Sequence, residues 1–408
     1  MQKKSIWIVT ELFYPEETTV AVIFTRIANF LSNDYEINVI CGPEFYDKNK
    51  VNFKDKYDLS DKITVYRTNT INLDKNSLIQ RTLKVLLLSF QMSFMVLKKV
   101  PKNGTVILAT NPAPLLILIS FIKIWKNIQL HILVHDVFPE NTIPAQIFRN
   151  DKSLIYKGLK RLFDKAYSRA DHLISIGRDM QEVLLKKTIR FRKRPSISVV
   201  PNWSNSIDTK LDLNIKSLYA KHQNKIIFQY SGNIGRVQGL DVLIDAFLAA
   251  NNPNTHLIIR GTGALYPSIE NLIESKNIEN ITLLGGFSRN QESEILSDCH
   301  ISIVSLSRGM FGLGVPSKTY NLLAAGKPIL FLGEPNSEIS LMINEFKIGW
   351  SFNISNKKEI IEFFNSLGSE SIPDIMLKGE MARSLSENQF EENNVLNLLK
   401  KQIEKHFL

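Results

Sequence analysis

Short apolar segments alternate with longer segments of helical periodicity along most of the chain. The first of them, Ser5–Thr10, is followed by a helix-like segment at 21–31. Strands without a polar residue at every second position are typical of parallel sheets that are covered by helices on both faces. Parallel neighbours also need a crossover connection, which a helix normally provides. The alternation therefore predicts an α/β fold built on parallel sheets.

This alternation occurs twice, and a polar, irregular segment that starts after Pro201 separates the two series. A chain of 408 residues is long enough to bury two hydrophobic cores. We therefore expect two domains of the same architecture and a linker between them. The predicted parts are an N-terminal domain over 1–202, a linker over 203–222, a second domain over 223–385, and a C-terminal helix over 386–408 whose packing partner the pattern leaves open.

Composition places the chain among globular proteins of a reducing compartment. Hydrophobic residues make up 44% and charged residues 22%, which excludes a disordered or fibrous class. Cys41 and Cys299 lie in opposite halves, so the sequence contains neither a disulfide framework nor a zinc-binding spacing. The apolar stretch that follows Lys3 and Lys4 is too short for the core of a secretory signal. We therefore expect a cytoplasmic location.

Charge and aromatic residues indicate a membrane surface as one partner. The net charge is +10, and 13 Lys and Arg residues against 5 Asp and Glu lie within 151–194. A basic face of this kind attracts anionic lipid or nucleic acid, or is simply solvated. No nucleic-acid motif is recognisable, so nucleic acid is not expected as a partner. Aromatic residues expected to be exposed lie on nearby apolar segments; they are Phe90, Phe94, Phe121 and Trp125.

The longest apolar runs, at 83–97 and 113–122, are shorter than the roughly 18 residues that a spanning helix needs. Apolar helices beside basic residues instead suit an interfacial position. We therefore expect peripheral association with the anionic inner face of the cytoplasmic membrane.

A glycine-rich turn at 230–240 lies between a predicted strand and a predicted helix. Gly232, Gly235 and Gly239 allow the backbone to turn tightly and to approach a ligand closely. The amides at the start of the following helix favour a phosphate, and Arg236 adds positive charge. Taken alone, this pattern is weak evidence, because such turns also serve as plain connections.

A second glycine-rich loop leads through Pro316, Ser317 and Lys318 into a predicted helix. Proline suits the first turn of a helix, and the Ser317 hydroxyl lies at the helix start. A cation at this point opposes the helix dipole unless an anion compensates it. We therefore interpret Lys318 as part of an anion site, in preference to the alternative of a mildly unfavourable surface lysine.

In order and spacing, these motifs resemble the retaining glycosyltransferases of family four. The resemblance is greatest to the fucosamine-transferase-like enzymes of bacterial O-antigen and capsule assembly, and it runs from Trp7 to about Trp350. It implies the GT-B fold, in which two Rossmann-like domains with parallel sheets face each other across a cleft. The matching motifs are VVPN at 199–202, SGNIGRVQGL at 231–240, RGTG at 260–263, LGGF at 284–287 and the block at 316–328.

By this resemblance, the C-terminal half binds a nucleoside diphosphate sugar. The implied binding residues are Gly232, Asn233, Gly235, Arg236, Gln238, Gly239, Gly261, Gly263, Gly286, Phe287, Ser317, Lys318 and Asn321. The chain departs from the family where two glutamates, an arginine, a lysine and a pair of N-terminal glycines are usual. The residues at these positions are Leu313, Asn321, Asn233, Gln238, Glu17 and Thr18. Asn321 can still hydrogen-bond ribose hydroxyls, and the positive charge must come from Arg236 and Lys318.

In the N-terminal half, polar residues follow the predicted strand Gln129–Val134. Side chains at the carboxyl ends of parallel strands face the ligand crevice of open α/β sheets. By the resemblance, this loop faces the donor sugar and the acceptor, so Asp136 and Glu140 are candidates to bind or deprotonate an acceptor hydroxyl, and His135 to contact the sugar. Either carboxylate could instead only cap the next turn. The predicted catalytic residues are His135, Asp136, Glu140, Arg236 and Lys318.

The resulting prediction is a hexosyltransferase that transfers a UDP-linked sugar, with retention, to a lipid-linked glycan in O-antigen or capsule synthesis. We expect no metal and no further cofactor. The remaining histidines look isolated; they are His131, His172, His222, His256, His300 and His406. Two alternatives stay open, namely a nucleotide-sugar 2-epimerase of the same fold, which needs no acceptor, and a non-catalytic sugar-nucleotide-binding protein.

Overall fold

The structure is a computed structural model that describes residues 4–44, 59–69, 78–204, 222, 224–287 and 291–407. Most of the predicted linker at 203–222 lies outside the described residues. The chain divides by its internal contacts into two compact units. The first unit comprises Met1–Glu140, Asp151–Val200 and Leu396–Leu408, and the second comprises Asn141–Asn150 and Pro201–Val395.

The described residues of the first unit form one sheet of seven strands. The strands are β1 (Ser5–Thr10), β2 (Glu36–Cys41), β3 (Ile63–Arg67), β4 (Thr105–Ala109), β5 (Gln129–Val134), β6 (His172–Ser175) and β7 (Ser196–Val199). The helices are α1 (Thr19–Leu31), α2 (Leu78–Lys99), α3 (Ala113–Lys126), α4 (Leu154–Arg169) and α5 (Arg178–Thr188). All neighbouring strands are parallel, in the order β3-β2-β1-β4-β5-β6-β7. Both β4 and β5 are buried along their whole length, as expected for a sheet covered on both faces.

In the second unit, six strands of the described residues form another parallel sheet. The strands are β8 (Ile226–Asn233), β9 (Thr255–Thr262), β10 (Ile281–Leu284), β11 (Ile301–Ser305), β12 (Ile329–Gly333) and β13 (Gly349–Asn353). The helices are α6 (Leu240–Ala250), α7 (Tyr266–Ser275), α8 (Glu292–Ser297), α9 (Lys318–Ala324), α10 (Glu338–Phe346), α11 (Lys357–Asn365) and α12 (Ile372–Gln389). The strand order is β10-β9-β8-β11-β12-β13. A cluster of edge-to-face aromatic rings, Phe228, Phe247 and Phe364, packs α6 and α11 against the sheet.

The helix predicted over 386–408 is wrong in its extent, because the chain there forms the end of α12 and a separate helix, α13 (Glu392–Glu404). Phe390 lies between these two helices. Its ring packs edge-to-face on Tyr320 at 5.0 Å, and its carbonyl accepts a hydrogen bond of 2.9 Å from the Ser204 amide. These contacts hold Phe390 out of the helical conformation. The spacing of apolar residues in the sequence does not reveal them, because both partners are distant in the chain.

The C-terminal segment packs on the first unit, which settles the partner that the sequence left open. Lys400 Nζ lies 2.6 Å from Asp34 Oδ2, and the Tyr35 hydroxyl donates to Glu404 Oε1 at 2.5 Å. The ring of Phe407 meets that of Tyr35 edge-to-face at 5.5 Å. The first unit is therefore completed by residues that follow the whole second unit in the chain.

The predicted fold class is confirmed, since both units are parallel α/β sheets covered by helices. The edge strand β13 was not predicted, because its residues are only half-buried and lack the apolar run of the inner strands. None of the helices within the described ranges combines the length and apolarity that a membrane span requires.

Candidate functional site

The second sheet has a switch point between β8 and β11, where the chain changes the side on which it adds strands. The loops that follow these two strands diverge there, and open α/β sheets bind ligands at this place. A backbone hydrogen bond joins the two loops, because the Ser307 amide donates to the Val237 carbonyl at 2.8 Å. Both glycine-rich motifs found in the sequence belong to these two loops.

The loop after β8 is a strand, a short turn and a helix, as predicted. The strand continues to Asn233, a 3-10 turn covers Arg236–Gln238, and α6 starts immediately after Gly239. Gly239 has a φ of 59°, and a Cβ there would lie 2.5 Å from Ile354 Cδ1 and 3.3 Å from Ser307 Cα, so the turn favours glycine. The first amides of α6 are therefore presented at this loop, where they favour an anion.

This loop carries two exposed polar side chains and a buried polar atom. Asn233 and Arg236 are exposed, and Arg236 makes no ion pair with any described residue. Two side-chain atoms, Asn233 Nδ2 and Gln238 Oε1, flank Gly235. Each lies 2.8 Å from the position that a Cβ on Gly235 would take. Gln238 Oε1 is buried and accepts no hydrogen bond from the described part of the chain.

Gly261 and Gly263 are explained by backbone packing. A Cβ on Gly261 would lie 1.8 Å from the Gly232 carbonyl oxygen, and one on Gly263 would lie 2.3 Å from that of Ile234. The carboxyl end of β9 therefore lies directly against the loop after β8, and the Ile234 amide donates to the Thr262 carbonyl at 2.8 Å. At both glycines, the neighbouring backbone fills the space that a Cβ would need. These glycines therefore allow the two segments to pack closely and leave no space there for a ligand.

Lys318 is the first residue of α9 and points its ammonium group back to β8. Nζ lies 3.5 Å from the centroid of the Tyr230 ring and 3.3 Å from the Ser231 carbonyl oxygen, to which it donates. Lys318 forms no salt bridge with the described residues. Burial lowers the pKa of Lys318 to about 7. The helix start adds further positive potential, and the Ser317 hydroxyl makes no capping hydrogen bond. This ammonium group has no carboxylate partner among the described residues, an arrangement that suits an anionic ligand.

The remaining predicted residues lie at the same edge of the sheet. Asn321, on α9, donates its side-chain amide to Glu292 Oε1 at 2.9 Å. Gly286 and Phe287 follow β10, and a Cβ on Gly286 would contact Thr262 Cγ2 at 3.1 Å. The structure thus brings the loops after β8, β9 and β10 to the same edge as the start of α9.

In the first unit, His135 and Asp136 follow β5. Burial lowers the pKa of His135 to about 4, so its ring is neutral at pH 7. Its Nε2 is buried without a hydrogen-bond partner among the described residues, and the ring meets Phe24 edge-on at 5.8 Å. Asp136 Oδ2 accepts a hydrogen bond of 3.0 Å from the Asn111 side chain, which follows β4. The loop after β5 therefore begins with a neutral imidazole and a carboxylate at consecutive positions.

Glu140 lies in an ion-pair network instead of facing solvent. Both of its carboxylate oxygens accept from Lys187 Nζ at 2.7 Å, and Oε1 also accepts from Lys160. Lys187 in turn pairs with Asp164 at 2.7 Å, and the side chains of Lys187 and Asp164 are each only 2% exposed. Arg190 completes the network from the surface by pairing with Asp164 at 2.7 Å. This placement favours an anchoring role for Glu140 over abstraction of a proton.

Comparison with known proteins decides the family. A model of the family described as "Glycosyl transferases group 1" matches residues 214–391. "Probable glycosyltransferase WbjE" of Pseudomonas aeruginosa is 34% identical over 282 residues, which are 68% of this chain and 69% of that protein. The chain belongs to the group 1 glycosyltransferases. A second relative is "Putative colanic acid biosynthesis glycosyl transferase WcaI" of Escherichia coli K12, 26% identical over 184 residues, which are 43% of this chain and 44% of that protein.

Solved structures agree with the GT-B fold of this glycosyltransferase. Anabaena HepE in complex with UDP superimposes with a TM-score of 0.71 at 12% identity and covers 99% of this chain and 100% of its own. WaaG, a glycosyltransferase involved in lipopolysaccharide biosynthesis, gives a TM-score of 0.64 at 14% identity, with 98% and 99% covered. At such identities the likeness establishes the fold alone.

Sequence reasoning missed two carboxylates of the glycosyltransferase. Glu334 follows β12, and one oxygen accepts from the amides of Gly309 and Phe311 at 3.0 and 2.8 Å, which fixes the loop before α9. Its place at a strand end is a signal that the sequence did contain. Glu292, the partner of Asn321, comes from α8, and no local pattern links two residues so far apart in the chain.

The prediction that six histidines are isolated is wrong for five of them. The rings of His131, His172 and His406 lie within 4.5–6.0 Å of each other, and those of His222 and His256 stack at 3.8 Å. His131 and His172 meet because β5 and β6 pair in that register. Within the part of the chain that the structure describes, no three His, Cys, Asp or Glu residues are arranged to hold a metal ion.

Proposed function

We propose that this glycosyltransferase transfers a sugar, with retention, from a UDP-sugar to a lipid-linked glycan of a bacterial surface polysaccharide. The observation that carries the proposal is Lys318, a desolvated cation without a carboxylate partner in the described residues, at the switch point of the second sheet. The cost of keeping this ammonium group away from water is recovered when a diphosphate binds beside it. Arg236 and the Ser317 hydroxyl complete an anion site that stabilises the departing diphosphate without a metal or another cofactor.

Two kinds of relative support the choice of substrates. HepE was solved with UDP, and WcaI is described by its role in colanic acid biosynthesis, which is a polysaccharide pathway. WaaG is likewise described by a role in lipopolysaccharide biosynthesis. We therefore favour UDP over other nucleotides and a glycan of the cell surface, such as O-antigen or capsule, as the product.

In the first unit, we assign acceptor recognition to the loop after β5. Asp136 is the residue that would hydrogen-bond the acceptor hydroxyl, and the neutral ring of His135 would contact the sugar. Glu140 keeps this loop in place through Lys187 and Asp164. The assignment thus differs from the sequence-based one only in the role of Glu140.

We propose that the enzyme works at the cytoplasmic face of an anionic membrane, which a lipid-linked acceptor requires. The expected exposure of four aromatic side chains on α2 and α3 is confirmed, at 59% for Phe90, 57% for Phe94, 50% for Phe121 and 80% for Trp125. Apolar side chains exposed to this degree beside basic residues suit an interfacial position.

The affinity for UDP is expected to fall as the pH rises from 7 to 8.5. Free Lys318 is about half protonated near pH 7, and the diphosphate requires its charged form, so binding takes up a proton above that pH. The loss of affinity approaches about tenfold per pH unit. The phosphates of UDP are already ionised in this range, so they do not contribute to this change. Calorimetric titration in two buffers measures both affinity and proton uptake. The Lys318→Met variant serves as the control, because its weaker affinity should not change with pH.

The donor is tested by measuring nucleotide release from UDP-, GDP- and dTDP-sugars, with and without a polyprenyl-linked glycan acceptor. We expect release of UDP from a UDP-sugar, and faster release when the acceptor is present. Conversion of the donor to a free epimerised sugar without acceptor would instead identify a 2-epimerase. Binding of UDP without turnover on any acceptor would contradict an enzymatic role.

A further inference from the structure

A cavity of about 620 Å³ opens at the amino ends of three strands in the first unit. Its wall includes Gln129, the first residue of β5, and Asp171, which precedes β6. The segment before β7 and His406, from the C-terminal segment, close the remaining sides. The loop that carries His135 and Asp136 lies at the opposite, carboxyl edge of the same sheet. The cavity is therefore separate from the residues assigned to acceptor recognition.

Positive charge dominates this cavity. The charged side chains on its wall are Lys123, Lys165, Arg169, Arg192, Lys193 and a single carboxylate, Asp171. Asp171 is shared, since it pairs with Lys123 and lies 3.6 Å from Lys193. Lys165 and Arg192 are exposed and form no ion pair within the described ranges. One carboxylate cannot neutralise this set, so the cavity is suited to an anion.

The rim of the cavity is apolar on one side. Ile124 lies on its wall and is 58% exposed, and its neighbour on α3, Trp125, is among the exposed aromatic residues described above. Arg169 connects the cationic wall to the apolar side chains, because its guanidinium group lies 4.5 Å from the centroid of the exposed Phe121 ring. A cationic cavity beside exposed apolar side chains matches a ligand that carries a charged group on an apolar body.

We propose that this cavity binds the phosphate headgroup of an anionic phospholipid, with Phe121, Ile124 and Trp125 at the level of the acyl chains. The proposal rests on the membrane association proposed above and gives it a defined contact point. A free phosphate would contact only the cations and would have no role for the apolar side chains at the rim. A lipid uses both, since basic residues hold the headgroup and aromatic side chains settle at the interface.

The test is co-sedimentation of the full-length protein with vesicles of phosphatidylcholine alone or mixed with phosphatidylglycerol. The variant is Lys165→Ala with Arg192→Ala, two exposed positions whose loss should not disturb the fold. Lys276→Ala with Lys358→Ala is the control, because these lysines are also exposed and belong to the second unit; Lys358 pairs with an exposed carboxylate, Glu362, at 3.7 Å. Arg190 is left unchanged, since it pairs with the buried Asp164.

We expect the Lys165 and Arg192 variant to bind phosphatidylglycerol vesicles about thirtyfold more weakly, while the control variant binds like the wild type. UDP release from the donor should be equal in all three proteins. Millimolar inorganic phosphate should not displace the wild type, and neither should duplex DNA.

Two failures are distinguishable. If the wild type does not sediment with phosphatidylglycerol vesicles, the membrane association and the headgroup site are both wrong, while the proposed transfer reaction is unaffected. If the wild type sediments but the two double variants bind alike, only the headgroup site is overturned. Displacement by inorganic phosphate would identify a site for free anions, and displacement by DNA would identify a nucleic-acid surface; either would overturn the lipid as the ligand.

Discussion

The substitution Lys318→Ala is expected to lower kcat by about two orders of magnitude, the usual loss when one preorganised charge contact to a developing anion is removed. Nζ of Lys318 is held by the Tyr230 ring and the Ser231 carbonyl oxygen, so it needs no reorganisation when the diphosphate departs. Steady-state kinetics with the UDP-sugar and acceptor measure the effect. Unchanged kcat would remove Lys318 from the donor site.

Stability separates this catalytic role from a structural one. The pKa of Lys318 is lowered from 10.5 to about 7 in the fold, so between these pH values the unfolded chain binds more protons than the folded one. The stability of the wild type should therefore rise with pH in this window, and below pH 7 the buried charge only costs free energy. The alanine variant should lack this rise and be at least as stable as the wild type near pH 7. Urea unfolding at several pH values checks both points.

The substitution Lys187→Met is expected to destabilise the first unit by about 3 kcal/mol, since it removes the central cation of a buried ion-pair network. Asp164 is 2% exposed, and Lys187 is its partner at 2.7 Å. The value lies at the low end for broken buried pairs, because Arg190 and Lys160 still face the two carboxylates. Denaturant unfolding measures the change in the free energy of unfolding.

The adjacent lysine provides a matched control. Lys186 also pairs with a glutamate, Glu182, but the two side chains are 72% and 52% exposed. Lys186→Met should therefore cost less than about 1 kcal/mol. If the two variants lose the same stability, the buried network does not stabilise the unit. A double-mutant cycle with Asp164→Asn then isolates the coupling between Lys187 and Asp164.

Local patterns predicted the strands and the glycine-rich loops well, because the signals for both lie in consecutive residues of the sequence. A parallel inner strand such as β4 is buried throughout, and the left-handed φ of Gly239 is one that glycine adopts without strain. What the sequence did not reveal depends on register and on contacts between distant segments. The histidine pair of β5 and β6, the partner of Asn321 and the network around Glu140 each join elements that are far apart in the chain.

The return of residues 396–408 to the first unit also has a consequence for biosynthesis. Domains generally fold as units during translation, the N-terminal one first. Here the partners of Asp34 and Tyr35, Lys400 and Glu404, leave the ribosome only after residues 201–395 have been made. The nascent first unit must therefore wait with that surface uncovered until the second unit has been synthesised. The N-terminal unit thus gains these contacts only after the second unit has been synthesised.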